Sequence, residues 1–194
     1  MIRIRPARNE DRPAVWNIIK AVIAGGDTYV FDPKAPEDEM LAYWFAPDKH
    51  VYVAVMPQEP PAESDNFSVD AGGGLRDAVS DARPDADGHN EKVVGTFWLK
   101  PNQPGLGDHV CNAAYMVSPE AHGKGIGRKM GEFSFDEARR LGFTAMQFNF
   151  VVASNTAAVR LWQSLGLRII GTVPNAFRHR QNGPTDAYIM YREL

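Results

Sequence analysis

His122-Gly123-Lys124-Gly125-Ile126-Gly127-Arg128 stands between a stretch that reads as a strand, His109 to Val117, and one that reads as a helix, about Gly125 to Leu141. The helix carries Ile126, Met130, Phe133, Ala138 and Leu141 on one side, and Ser118-Pro119 ends the strand. Such a turn gathers unpaired backbone N–H groups at the positive end of a helix dipole, and glycine lets an anion approach the main chain. Lys124, Arg128 and Lys129 add charge nearby. The turn is therefore a candidate phosphate site, although three spaced glycines fit a tight turn without a ligand equally well. Two nucleotide loops do not match. Lys124 is followed by Gly125 where a P-loop needs Ser or Thr for magnesium, and the acidic residue that a dinucleotide fold places about 20 positions on is replaced by Gln147-Phe148-Asn149.

Working outward, a strand Ala145 to Val151 is followed by Ser154-Asn155-Thr156, which caps a helix running to Leu165. Ala158, Leu161, Trp162 and Leu165 share one side of that helix and Gly166 closes it. Upstream, a strand at Ile2 to Arg5 precedes a helix from about Asp11 with Val15, Ile18, Ile19, Val22 and Ile23 at helical spacing, ended by Gly25-Gly26. A second helix begins at Pro36 and carries Met40, Leu41 and Trp44. Strands at His50 to Met56 and Val93 to Lys100 follow, and strands at Leu167 to Val173 and Ala187 to Tyr191 finish the chain. The order predicts an α/β fold with a mixed sheet and helices on both faces.

The two segments together resemble the signature regions of the GNAT (GCN5-related N-acetyltransferase) superfamily. Its coenzyme loop reads Arg/Gln-x-x-Gly-x-Gly/Ala, and its later segment, Asn-x-x-Ala-x-x-Leu-Tyr-x-x-x-Gly-Phe, is matched in register by Asn155, Ala158, Leu161 and Gly166. The resemblance covers the whole chain except an insert at Pro57 to Asn90, and it implies a mostly antiparallel sheet of about seven strands. It further implies acetyl-CoA as co-substrate, held by Met116, Val117, His122, Gly123, Lys124, Gly125, Ile126, Gly127, Arg128, Asn155 and Trp162. Two positions depart from the pattern. His122 replaces Arg or Gln, which affects main-chain phosphate contacts little. Trp162 replaces the Tyr that many members use to protonate the leaving thiolate, and an indole N–H is no acid at neutral pH, so the general acid is unassigned and core packing is the better explanation of Trp162.

In the resembled family the acceptor amine meets the thioester where the strands at 109–117 and 145–151 splay. Asn112, Gln147 and Asn149 interrupt these strands, and a buried amide needs partners that either a polar ligand or the backbone can supply. Asn112, Tyr115, Asn149 and Tyr29 are the expected acceptor contacts, with Asp27, Thr28 and Tyr29 on a loop able to cover them. The run Asn102-Gln103-Pro104-Gly105 and Met146 to Val151 further resembles the branch containing yeast-type azetidine-2-carboxylate acetyltransferases, which implies a small or cyclic amino acid as acceptor. His109, Glu120, Asp27 and Tyr29 are base candidates by residue type alone. The implied reaction is direct attack of a neutral amine on the thioester, with the Val117 N–H polarising the carbonyl oxygen and no acyl-enzyme. A catalytically weak acetyl-CoA-binding regulatory module is the competing reading, motivated by Trp162 and the unnamed base.

Composition narrows the alternatives. The chain has 194 residues, 44% hydrophobic and 23% charged, with a net charge of −3, which suits one globular domain over 1–194 and offers no general attraction to nucleic acid or anionic membrane. The most apolar stretch, Ala14 to Ala24, falls short of the ~20 residues that span a bilayer, and Met1 to Pro6 alternates instead of forming a signal peptide, so a cytoplasmic protein is expected. Cys111 is the single cysteine and His50, His89, His109, His122 and His179 are scattered, so no metal site is expected. The Pro57 to Asn90 insert holds eight acidic residues against Arg76 and Arg83, a net of −6 that leaves the rest at +3. Its composition predicts a disordered loop joining two strands. Dimers are common in the resembled family, so a homodimer is compatible with this reading.

Overall fold

A computed structural model describes residues 1–57, 83–84 and 90–194. Strands β1 (Arg3–Pro6), β2 (His50–Pro57), β3 (Arg83–Pro84), β4 (Asn90–Pro101), β5 (Val110–Val117), β6 (Ala145–Val152), β7 (Arg168–His179) and β8 (Gly183–Glu193) form one sheet. Seven of them lie in the order β1-β2-β4-β5-β6-β8-β7, and β3 pairs with β4 at its end. Every pairing is antiparallel except β5 with β6. Helices α1 (Arg12–Ala24) and α2 (Glu37–Trp44) cover one face, and α3 (Ile126–Arg140) and α4 (Thr156–Ser164) the other.

Strand alternation sends adjacent residues to opposite cores. In β4, Phe97 and Leu99 join the α3–α4 core while Trp98 joins the core under α1 and α2. Both faces are buried, which is why these strands read as unbroken apolar runs. Stacked Tyr52, Phe97 and Tyr115 rings, with centroids 4.9 and 5.4 Å apart, run across three strands. In the other core, Trp44 Nε1 donates to Thr96 Oγ1 at 3.0 Å, and Thr96 in turn donates to the Tyr52 carbonyl at 3.0 Å. These buried polar groups are thereby satisfied.

The elements expected from sequence are present, with some boundaries moved. The last two strands are much longer than the expected Leu167–Val173 and Ala187–Tyr191, because they form a hairpin beyond the apolar segment. Asn175, at φ 54°, bends β7 and donates its N–H to Asp186 Oδ1 at 2.9 Å. At the hairpin's tip the Arg180 N–H reaches the Gly26 carbonyl at 3.3 Å, tying the tip to the loop after α1. The insert expected at Pro57 to Asn90 lies mostly outside the described residues. Its two ends are strand instead of loop, since Pro57 opposes Glu91 and β3 extends the pairing to Asn90.

The decisive irregularity is between β5 and β6. Their parallel pairing is limited to Val110 with Ala145 and Cys111 with Met146. Beyond that point the strands separate, and β6 shifts register against β8 between Phe148 and Val151. A gap through the middle of the sheet results.

Candidate active site

Two cavities meet at this gap. The larger, about 650 Å³, runs from the splay to the glycine-rich turn, bounded by the loop after α1, the end of β5, the start of α3 and one side of α4. The smaller, about 220 Å³, passes through the sheet between β5 and β6 toward the loop before α2. Thr28, Tyr29, Tyr115, Asn155, Ala158 and Trp162 border both, so the two adjoin.

Of the residues expected to hold the coenzyme, Met116, Val117, His122, Gly123, Gly125, Ile126, Gly127, Arg128, Asn155 and Trp162 all border the larger cavity. Lys124 does not. Gly123 and Gly125 have φ of 76° and 73°, a conformation that a side chain would strain, and a Cβ on either would meet nothing within 4 Å. The turn therefore presents bare main chain at the start of α3, which has no side-chain cap. Gly127 serves another purpose: its added Cβ would sit 3.2 Å from Leu161 Cδ2, so its missing side chain lets α3 approach α4. His122 Nε2 lies 3.3 Å from the Val117 carbonyl and Arg128 donates to Ser164 Oγ at 2.8 Å, which fix the turn to β5 and to the end of α4. Asn155 caps α4 by accepting from the Ala158 N–H at 3.1 Å.

The expected acceptor residues Asn112, Tyr115, Asn149 and Tyr29 all border the smaller cavity. Their side chains differ in freedom. Asn112 Oδ1 accepts from the Ala113 N–H at 2.8 Å. Asn149, expected to be buried, is exposed because β6 bulges there, and it is held by side chains: it donates to Asn102 Oδ1 at 2.6 Å and accepts from Gln147 Nε2 at 2.9 Å. The Tyr115 hydroxyl turns into the α3 core, 2.7 Å from Ser134 Oγ, leaving only its ring and main chain toward the gap. Tyr29 is the unexpected link. Its hydroxyl donates to the Tyr115 carbonyl at 2.7 Å and accepts from the Tyr115 N–H at 3.0 Å, filling the place a partner strand would take on β5.

Comparison with known proteins now identifies this architecture. A model of the acetyltransferase (GNAT) family matches residues 79–167. The N-acetyltransferase aca1 of Schizosaccharomyces pombe is 32% identical over 165 residues, covering 84% of this chain and 71% of that protein. The chain belongs to the GNAT acetyltransferase family. The structure of a GCN5-related N-acetyltransferase from Kribbella flavida is 36% identical, with a TM-score of 0.77 over all of this chain and 98% of that one. The Salmonella typhimurium protein yncA, solved with its cofactor acetyl-CoA, shares the fold at 22% identity and a TM-score of 0.72, over 100% of this chain and 94% of that one.

Groups for proton transfer in this GNAT acetyltransferase divide by position. His109 lies exposed at the foot of β5, and exposed Glu120 pairs with Lys92 at 2.9 Å; neither borders a cavity at the gap. Asp27 and Tyr29 do. Burial pushes the Tyr29 and Tyr115 hydroxyls well above the ordinary tyrosine range, so both are neutral donors at physiological pH. Trp162 is 7% exposed, its ring 4.7 Å from that of Tyr115 and 4.9 Å from that of Phe148, a packed wall at the junction. Cys111 is buried and its thiol is pushed up to about 12 by desolvation, which makes it a poor nucleophile. Among the described residues no cluster of His, Cys, Asp or Glu could hold a metal, and no helix is long and apolar enough to cross a membrane.

Sequence reasoning missed Trp98, Phe31 and Tyr43, which line the smaller cavity from the α1–α2 side. Trp98 sits in a strand apolar on both faces, so no alternation marks it as a site residue. Phe31 stacks on Tyr29 and meets Tyr43 edge-on only because the loop folds back.

Proposed function

We propose that the protein transfers an acetyl group from acetyl-CoA to the amine of a small molecule, a small or cyclic amino acid being the favoured acceptor. The observation that carries this reading is the meeting of the two cavities at the β5–β6 gap, with six residues lining both. A long cavity ending on bare backbone at a helix start suits a pantetheine arm and its pyrophosphate, and a small one suits a compact acceptor. Gly123, Gly125 and the first turn of α3 would hold the phosphates through main-chain N–H groups. The thioester would lie beside Val117 and Trp162, its carbonyl oxygen polarised by the Val117 N–H. The coenzyme supplies an activated acyl group; the acceptor's ammonium gives its proton to solvent, the chain orients the resulting neutral amine toward the acyl carbon, and effective molarity does the rest. With Trp162 in the wall, a thiolate that is already a good leaving group can depart without a side-chain acid.

The resemblance to the azetidine-2-carboxylate branch and the lack of charged residues in the smaller cavity's wall both favour a small zwitterion over a polyamine or a protein tail. The test is release of free thiol from acetyl-CoA with a panel of amino acids, cyclic amines, polyamines and a lysine-rich peptide. Turnover confined to small amino acids is expected, whereas exclusive turnover of the peptide or the polyamines would overturn the acceptor assignment. Asn112→Ala should lower kcat/KM for the best acceptor at least tenfold and leave the Kd for acetyl-CoA unchanged, because its amide borders only the smaller cavity.

A further inference from the structure

Among the described residues, three buried side-chain polar atoms lack a hydrogen-bond partner: Arg5 Nε, Trp98 Nε1 and Ser154 Oγ. Only Trp98 belongs to the wall of a cavity at the gap. It is 3% exposed, and its neighbour Trp44, 6.1 Å away between centroids, satisfies the same indole N–H on Thr96. A covered donor without a partner, on a residue that lines a cavity, is completed by a ligand acceptor atom once the indole turns toward that cavity.

The charge beside this donor is net positive, since Asp48, the carboxylate next to Lys49, is itself paired with Lys100 at 3.2 Å. No Asp or Glu lines the smaller cavity. Lys49 Nζ lies 3.2 Å from the centroid of the Tyr43 ring and 4.8 Å from that of Trp98, two rings that form part of the wall. A cation placed behind an aromatic wall lends positive potential to the space in front of it, as long as the site is dry. Desolvation lowers the Lys49 pKa to about 8, which leaves the ammonium charged at neutral pH.

We propose that the Trp98 indole N–H, backed by the Lys49 ammonium, is the subsite for a carboxylate of the acceptor. This rests on the reading of the smaller cavity as the acceptor site, and it makes the acceptor an α-amino acid instead of a plain amine. One carboxylate oxygen accepts from Trp98 Nε1 on the α1–α2 side of the sheet, and the amine is left to face the gap and the thioester. Trp98 and Lys49 act as positioning residues. They exchange no proton with the acceptor.

The experiment compares proline and alanine with prolinamide, alaninamide and pyrrolidine, using the full chain and thiol release from acetyl-CoA. The wild-type protein is expected to favour the acids over the carboxamides and pyrrolidine by at least tenfold in kcat/KM. Trp98→Phe should raise KM for the acids about tenfold and lower kcat/KM for pyrrolidine by a much smaller factor, and so erase the preference. Lys49→Met, which keeps the packing and removes the charge, should move the preference in the same direction by a smaller factor and stands in if Trp98→Phe does not fold. Equal turnover of acids, carboxamides and pyrrolidine by the wild type overturns the carboxylate subsite while leaving the proposed acetyl transfer intact. An equal loss on every acceptor in both variants overturns it as well, and absence of turnover with every small amine overturns both readings.

Discussion

Gly125 shows how much one residue can carry. At φ 73° it holds a backbone that L-residues adopt at a cost of ~1–2 kcal/mol, and nothing occupies the space where a Cβ would stand. Gly125→Ala is expected to leave the melting temperature within a few degrees and to weaken acetyl-CoA binding about tenfold or more in calorimetry, since strain and a methyl group would both fall on the proposed phosphate surface. Unchanged affinity would remove that surface from the site. Cys111 makes the opposite case, a residue of reactive type kept inert by its surroundings. Its thiol ionises at about 12 in the fold against an ordinary 9.0. The folded-state value is raised, so the associated stability is complete below pH 9.0 and declines as pH rises through that interval. At pH 8, iodoacetamide should label Cys111 at the rate of global unfolding only; rapid labelling of the native protein would contradict its burial.

At the scale of elements, α3 and α4 meet through glycine. A Cβ on Gly131 would stand 2.7 Å from Leu165 Cδ1 and 3.0 Å from Trp162 Cζ3, so the missing side chain sets how closely the helices pack. Gly131→Val should destabilise the fold by ~1–3 kcal/mol through overpacking. It should also raise KM for acetyl-CoA, because Trp162 belongs to the wall that would be displaced. Chemical denaturation and steady-state kinetics on one preparation check both effects, and a stable variant with unchanged KM would show that the helices have room to spare. The loop after α1 is the second such element. Tyr29 bonds both main-chain groups of Tyr115, so the loop replaces a strand along the open edge of β5 and borders both cavities.

Over the whole molecule, the site depends on a sheet that is continuous on both sides of one gap. β1 to β5 carry the α1–α2 core and the first wall, and β6 to β8 carry the second. The acidic insert enters at the ends of β2 and β4. We propose that it is dispensable: replacing residues 58–82 with a short glycine-serine linker should change the melting temperature by only a few degrees and leave acetyl-CoA affinity unaltered, because a segment so poor in apolar residues contributes little burial. A large loss of stability would assign Phe67, Val69, Leu75 or Val79 a place in the core.

The amino-acid sequence by itself determined the elements and the glycine-rich turn, because both are local. Apolar spacing marks a helix, Gly125 and Gly123 mark backbone that only glycine adopts readily, and Asn155 marks a helix start. It also brought forward Asn112 and Asn149, whose polarity stands out in apolar strands, and Tyr29, from its place on the loop between the first two helices. Only the tertiary structure decided what those groups face. Asn149 is exposed because β6 bulges, the Tyr115 hydroxyl is spent on Ser134, and Lys124 does not border the cavity that its neighbours line. Trp98 is the clearest case. Its indole is chemically identical to that of Trp44, and whether the N–H finds Thr96 or is left without a partner depends on residues dozens of positions away, brought there by strand pairing and by the fold of a loop. Periodicity reports which side of an element is buried, but not which buried donor has been left for a ligand.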